Sequence, residues 1–289
     1  MPGLTNRAMF AGSWYAASSV QLTKDIKTAI ESTDRLPWSV VGGVLPHAGL
    51  RFSAKGMAPF FANLPEEYKH VVLFAPSHYQ YLLEDRIYYG LFDQHQTPVG
   101  IIDGNMDGLS EDLCFHEHST AVEQEHAVEM FLPFIKYKMR KNVKLTVFLI
   151  PQISSMESLT NLKECFLKKM GGVLDLKQTL FIASSDFTHY GPRFSYMPFG
   201  LDNTVKIEEK VREFDEKYAR NLAAYHFEKI FEDIKNDSPT ICGLYPAIFM
   251  AAILKHLGCK GEFVSYYNSS LISGPSRDFV SYASILYHK

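Results

Sequence analysis

No stretch of this chain stays apolar long enough to cross a bilayer: the longest such run, Pro246–Leu254, falls far short of the ~20 residues a spanning helix needs. Met1–Ser13 lacks a charged start followed by an apolar core, so no secretory leader is expected and a cytoplasmic protein is. An excess of either charge is missing too. With 29 basic residues against 32 acidic ones and no basic block, nucleic acid and an anionic membrane are not expected partners. Cysteine is confined to positions 114, 165, 242 and 259 with no CxxC pair, so all four are expected to be reduced. These absences leave a small molecule or a peptide as the expected ligand, with the oligomeric state open. What is present is apolar content, 46% of 289 residues, which can fill the core of one large domain spanning residues 1–289.

Three segments repeat one pattern, a short β-branched run that stops at Pro or Ser with a histidine close behind. They are Val40–Leu45 followed by Pro46-His47-Ala48-Gly49, Val71–Ala75 followed by Pro76-Ser77-His78, and Leu180–Ala183 followed by Ser184-Ser185-Asp186-Phe187-Thr188-His189. Uninterrupted apolar runs of this length fit strands buried on both faces of a largely parallel sheet. The expected fold class is therefore α/β, a central mixed, largely parallel sheet flanked by helices. Ligands of such sheets collect beyond the carboxyl ends of the strands, so three histidine-bearing ends point to one site and to a metal.

Helical spacing predicts helices over Val20–Ile30, Ser53–Asn63, Glu125–Arg140 with a kink or later start at Pro133, and Met156–Met170. It also predicts one or two helices within Val205–Phe231, and Ala247–Leu257 opening at Pro246. Further strands are expected at Arg86–Tyr89 and Lys144–Ile150, with a closing pair at Glu262–Asn268 and Asp278–His288.

His47 and His78 are the strongest ligand pair, since imidazole is the commonest metal ligand; the bland alternative is that each caps a turn. Asp186 and His189 share one loop. The carboxylate could orient the imidazole as a general base, or the pair could be an Asx-turn beside a solvated histidine. Cys242 precedes a helix start, where the dipole favours the thiolate; otherwise it is a small buried hydrophobe. Glu125 and His126 open a helix, which alone explains the carboxylate, and rank as weaker candidates. His116-Glu117-His118 reads as a solvated loop.

The motifs Ala11-Gly12-Ser13-Trp14-Tyr15, Pro46-His47-Ala48-Gly49, Pro76-Ser77-His78, Glu125–Met130, Ser184–His189 and Thr240-Ile241-Cys242-Gly243 stand in an order that resembles the Memo family. That family includes the animal mediator of ErbB2-driven cell motility and the microbial AmmeMemoRadiSam system protein B. The resemblance implies a fold similar to the class III extradiol, non-haem iron dioxygenases. It implies a metal cluster of His47, His78 and Cys242, a pocket also lined by Asp186 and His189, and Trp14 near its mouth. A thiolate in place of a triad carboxylate shifts preference from iron toward copper or zinc and makes the ligand itself oxidisable. The chain departs from the family pattern at Phe10, Tyr79, Phe131 and Tyr245, where histidines stand in other members, so its surroundings are more aromatic.

Three functions follow as expectations. One is a metal-dependent oxidoreductase holding iron or copper, with zinc a further option, in which His189 oriented by Asp186 acts as acid and base. A second is a vestigial-dioxygenase module that docks a peptide or phosphorylated ligand in signalling. The third is a cysteine hydrolase using Cys242, His189 and Asp186.

Overall fold

The strands that carry the three histidine turns lie beside one another. The computed structural model describes residues 4–65, 67–139, 141–202 and 204–289; Met1–Gly3 of the amino-terminal reading and Arg140 of the expected 125–140 helix fall outside them. In chain order the strands are β1 Thr5–Asn6, β2 Gly42–Leu45, β3 His70–Ala75, β4 Ile87–Tyr89, β5 Gln94–Thr97, β6 Gly100–Asp103, β7 Phe115–Glu117, β8 Lys144–Leu149, β9 Thr179–Ser184, β10 His189–Tyr190, β11 Lys260–Asn268 and β12 Phe279–His288. The helices used below are α1 Ser19–Glu31, α2 Leu50–Ala62, α3 Ser119–Gln124, α4 His126–Glu129, α5 Leu132–Lys138, α6 Met156–Met170, α7 Thr204–Ala223, α8 Phe227–Asp237 and α9 Leu244–His256.

The main sheet runs β10-β12-β2-β9-β3-β8-β4-β7, with β11 on β12, while β1, β5 and β6 form a separate small sheet. Its centre, β2, β9, β3 and β8, is parallel, and β12 and β4 join it antiparallel, which gives the expected mixed α/β architecture. Helix α2 leads from β2 to β3, and β9 is inserted between those two strands. Neighbouring residues of one strand enter opposite cores. Val72 and Phe74 face the side built by α6, α8 and α9, whereas Val71, Leu73 and Ala75 face the side of α1, α2 and α5. Both faces are covered, and the strands are accordingly apolar without alternation. Because Leu45 is in register with Ser184, and Ala183 with Phe74, the turns after β2, β9 and β3 leave from one edge.

The longest apolar run is α9, buried all round, and among the described residues no helix is long and apolar enough to cross a membrane. It begins two residues before Pro246, which the first turn tolerates because amides there have no intrahelical acceptor. The expected helix over 125–140 is broken: Glu125, in an extended conformation, ends α3 and caps α4, and Pro133 sits in the first turn of α5. Val205–Phe231 resolves into α7 and α8, and β11 and β12 form the expected closing pair.

Two expectations are corrected. Phe115–Glu117 is an edge strand paired with β4, so His116 and Glu117 are not in a solvated loop. Cys114 and Cys165 are joined by a disulfide, not reduced, which removes the cysteine argument for a reducing compartment. The pairing arises because α6 docks on the segment before β7: Lys169 Nζ binds the Ser110 carbonyl and the Asp112 carboxylate and lies over the Phe115 ring. Residues 51 apart in sequence meet only through that packing.

Asp215 of α7 braces the loop between β9 and β10. It is fully buried, accepting Thr188 Oγ1–H at 2.6 Å and lying 2.9 Å from the Tyr266 hydroxyl. Burial pushes its carboxyl from 3.8 up to about 7, outweighing those hydroxyl donors. The folded chain therefore holds a proton there that the unfolded chain has released, and stability contributed at low pH is lost as pH rises from about 4 to about 7. Urea titrations at pH 4.5 and pH 7.5 are expected to show this fall. Asp215→Asn is expected to flatten it by roughly 2–4 kcal/mol relative to the wild type.

Candidate metal centre

His47 follows β2 and is held from both ends. Its backbone N–H donates to Asp186 Oδ1 at 2.7 Å, and Ala48 N–H reaches the same oxygen at 3.2 Å. In the ring, Nδ1 lies 2.6 Å from Ser184 Oγ, whose own hydrogen goes to the Ala127 carbonyl at 2.7 Å. A hydroxyl has one hydrogen, so the network assigns the imidazole proton to Nδ1 and leaves a lone pair on Nε2. Burial, and then the neighbouring imidazoles, keep this ring neutral by lowering its pKa well below 6.5.

His78 repeats the arrangement after β3. Its backbone N–H donates to Glu125 Oε2 at 2.6 Å, and its Nδ1 lies 2.8 Å from Oε1. Glu125 is 1% exposed and also caps α4 through Ala127 N–H at 3.0 Å. Burial alone would raise its pKa, but His126 and His78 outweigh it and hold the carboxylate at about 2. An ionised acceptor fixes Nδ1 as the donor nitrogen, so Nε2 is the atom left to ligate.

Cys242 stands two residues before α9, with Sγ 3.2 Å from His47 Nε2 and 3.7 Å from the Asp186 carbonyl. Ligand atoms of His47, His78 and Cys242 all lie within 4.8 Å of one another. The dipole argument for a ready thiolate does not hold: burial, then Asp186, push the thiol well above its ordinary value. A bound cation reverses that balance, since a coordinating thiol is deprotonated outright.

His126 belongs to the same cluster although the sequence ranks it low. Its ring centroid is 4.5 Å from that of His78 and 5.4 Å from that of His47, and it groups with His78 and Glu125 as a second trio of possible ligands. Its buried Nδ1 is 3.2 Å from Glu125 Oε1 but outside hydrogen-bonding geometry. Trp14 packs on this ring at 4.4 Å, with Phe10 and Tyr79 beside it at 5.9 Å and 5.5 Å. Glu125 serves as the helix cap that its position suggests and as the anchor of His78, so the bland reading of one residue concealed its second role.

Asp186 and His189 are present, but not as the expected pair. The Asp186 carboxylate binds the amides of the β2 turn, while His189 Nδ1 lies 3.0 Å from both the Phe187 and Thr240 carbonyls. Two carbonyls can only accept, so Nδ1 is protonated and Nε2 carries the lone pair. Asp186 does not orient the imidazole. Nor is the hydrolase triad assembled, because the Cys242 thiol meets His47 and His189 hydrogen-bonds neither Cys242 nor Asp186.

Two imidazoles anchored through Nδ1 and a thiol, gathered at the carboxyl edge of parallel strands, define an α/β protein with a donor set suited to a transition metal. A family model described as Memo-like protein matches residues 6–286, and the chain belongs to that family. It is 26% identical over 286 residues to a MEMO1 family protein of Methanosarcina mazei, covering 96% of each chain. It is 25% identical over 295 residues to the Protein memo-1 homolog of Caenorhabditis elegans, covering 97% of this chain and 81% of that one. A MEMO1 family protein of Aquifex aeolicus is 26% identical over 287 residues, with 96% and 97% covered.

The placement of Cys242 depends on its neighbour. A Cβ at Gly243 would lie 1.9 Å from the Ser184 carbonyl oxygen and 2.6 Å from Ser185 Cα, so Gly243→Ala must push this segment away from β9. A loss of about 1–3 kcal/mol is expected from urea denaturation.

Proposed function

We propose that this Memo-family chain is a metal-dependent redox protein in which His47, His78 and Cys242 hold iron or copper, with zinc the third option. The single observation that carries the reading is the pairing of two Nδ1-anchored imidazoles with a thiol whose Sγ and their ring nitrogens fall within 4.8 Å. A metal bound there would supply Lewis-acid and electron-transfer chemistry toward a small molecule or oxygen.

The chain's own residues supply the rest. Ser184 and Glu125 fix the tautomer and tilt of the two imidazoles, and Asp186 braces the backbone beneath His47. His189, with its proton held at Nδ1 by two carbonyls, offers Nε2 to accept a proton from a bound molecule. Metal binding there would displace the Cys242 proton, so uptake would release a proton and weaken in acid. The likeness to class III extradiol dioxygenases belongs to this same reading, with thiolate in place of a carboxylate ligand.

Metal content by inductively coupled plasma mass spectrometry, on protein purified without affinity tag or chelator, tests it. Near-stoichiometric iron or copper is expected in the wild type and loss in both His47→Ala and Cys242→Ser. Ser184→Ala, which removes the Nδ1 acceptor of His47, is expected to weaken affinity about 10- to 100-fold. A wild type that is metal-free and takes up neither added metal would overturn the reading in favour of a docking pocket.

A further inference from the structure

The cover over His126, the ring beside His78 and His47, comes from a separate segment. Residues 9–15 form a tight strap: Gly12 turns the chain at φ +88°, its N–H donates to the Tyr15 carbonyl at 2.7 Å, and Trp14 N–H donates to the Phe10 carbonyl at 3.0 Å. The strap lays the Trp14 indole on His126 at 4.4 Å. Phe10 stands edge-on to Trp14 at 5.8 Å and runs nearly parallel to Tyr79, 6.3 Å away at 20°. These rings cover the imidazole that abuts His78.

One carboxylate holds the strap down. Glu129, 3% exposed, accepts Met9 N–H and Phe10 N–H at 2.8 Å each and Tyr15 O–H at 2.5 Å. On the far side, the Trp14 carbonyl accepts Leu50 N–H at 2.9 Å. A buried carboxylate is costly unless donors surround it, and here the three hydrogen-bond donors are all on the strap. Helix α4 does not require it, because Glu125 already caps that helix. Glu129 and His126 share α4, so the group that grips the strap and the ring that the strap covers move as one body.

We propose that Glu129 is a positioning residue for the pocket: its grip on the strap keeps Trp14 and Phe10 over His126 and thereby sets how readily ions and small molecules exchange with His47, His78 and Cys242. The exchange half rests on the metal reading above; the grip on Trp14 does not. Glu129→Gln keeps the size but turns one acceptor into a donor facing the strap's own N–H groups.

The chain has two tryptophans, so a Trp38→Phe background leaves Trp14 as the sole indole reporter. In that background two quantities are read for Glu129→Gln: acrylamide quenching of Trp14 emission, and the rate at which EDTA strips iron or copper from the loaded protein. With unchanged far-ultraviolet circular dichroism, stronger quenching and about tenfold faster stripping are expected, from the loss of a hydrogen-bond acceptor for the strap. Phe10→Ala, which leaves Glu129 intact, is expected to speed stripping to a similar degree. A folded Glu129→Gln variant with quenching and stripping as in the wild type overturns the proposal. Should that variant not fold, wild-type quenching and stripping in Phe10→Ala overturn it. A wild type that holds no metal refutes the metal reading alone, and Trp14 quenching then decides the role of Glu129.

Discussion

Buried carboxylates that grip backbone amides of neighbouring loops hold this site together. Asp186 binds the amides of His47 and Ala48, Glu125 those of His78 and Ala127, and Glu129 those of Met9 and Phe10. Among the described residues none of the three pairs with a lysine or arginine. A carboxyl group removed from water must be surrounded by donors, and loop amides that lack a ladder partner need acceptors; each requirement satisfies the other. The loops that bear His47, His78 and Trp14 are thus tied to the loop after β9, to the residue that caps α4 and to α4 itself.

The sheet makes that arrangement reachable. Parallel register brings the turns after β2, β9 and β3 to one edge, and two cores of unlike helices cover both faces of the strands. Ser184 ends β9 in register with Leu45, one residue before Pro46, and so receives the Nδ1–H of His47 while passing its own hydrogen to α4. Rigid strands under short, amide-tied turns are how a protein holds ligand atoms in place before a ligand arrives.

Electrostatics within the site divide the labour among groups of one kind. Glu125, with two imidazoles against it, stays ionised and anchors His78, whereas burial raises the carboxyls of Glu129 and Asp186 against the donors that surround them. Cys242 is held as a thiol by burial and by Asp186, so the cluster without a metal contains a neutral S–H beside a neutral imidazole, not the ion pair of a thiol protease.

Much of this was legible in the residues. Apolar runs without alternation announced strands buried on both faces, Pro and Ser marked their ends, and the histidines just beyond pointed to His47, His78 and the loop of Asp186 and His189, because a strand end is a local signal carried by adjacent residues. What tertiary structure alone decided is which partner each group meets. Asp186 braces His47 instead of His189, Glu125 anchors His78 across 47 positions while also capping a helix, Cys114 finds Cys165, and His126 comes under Trp14. Those contacts join residues far apart in the chain, and their energies depend on burial and on competing donors, which no spacing rule encodes. The sequence by itself determined the sheet, its helices and the side chains available at its edge; packing determined their protonation, their tautomers and the roof above them, because those follow from which groups are excluded from water together.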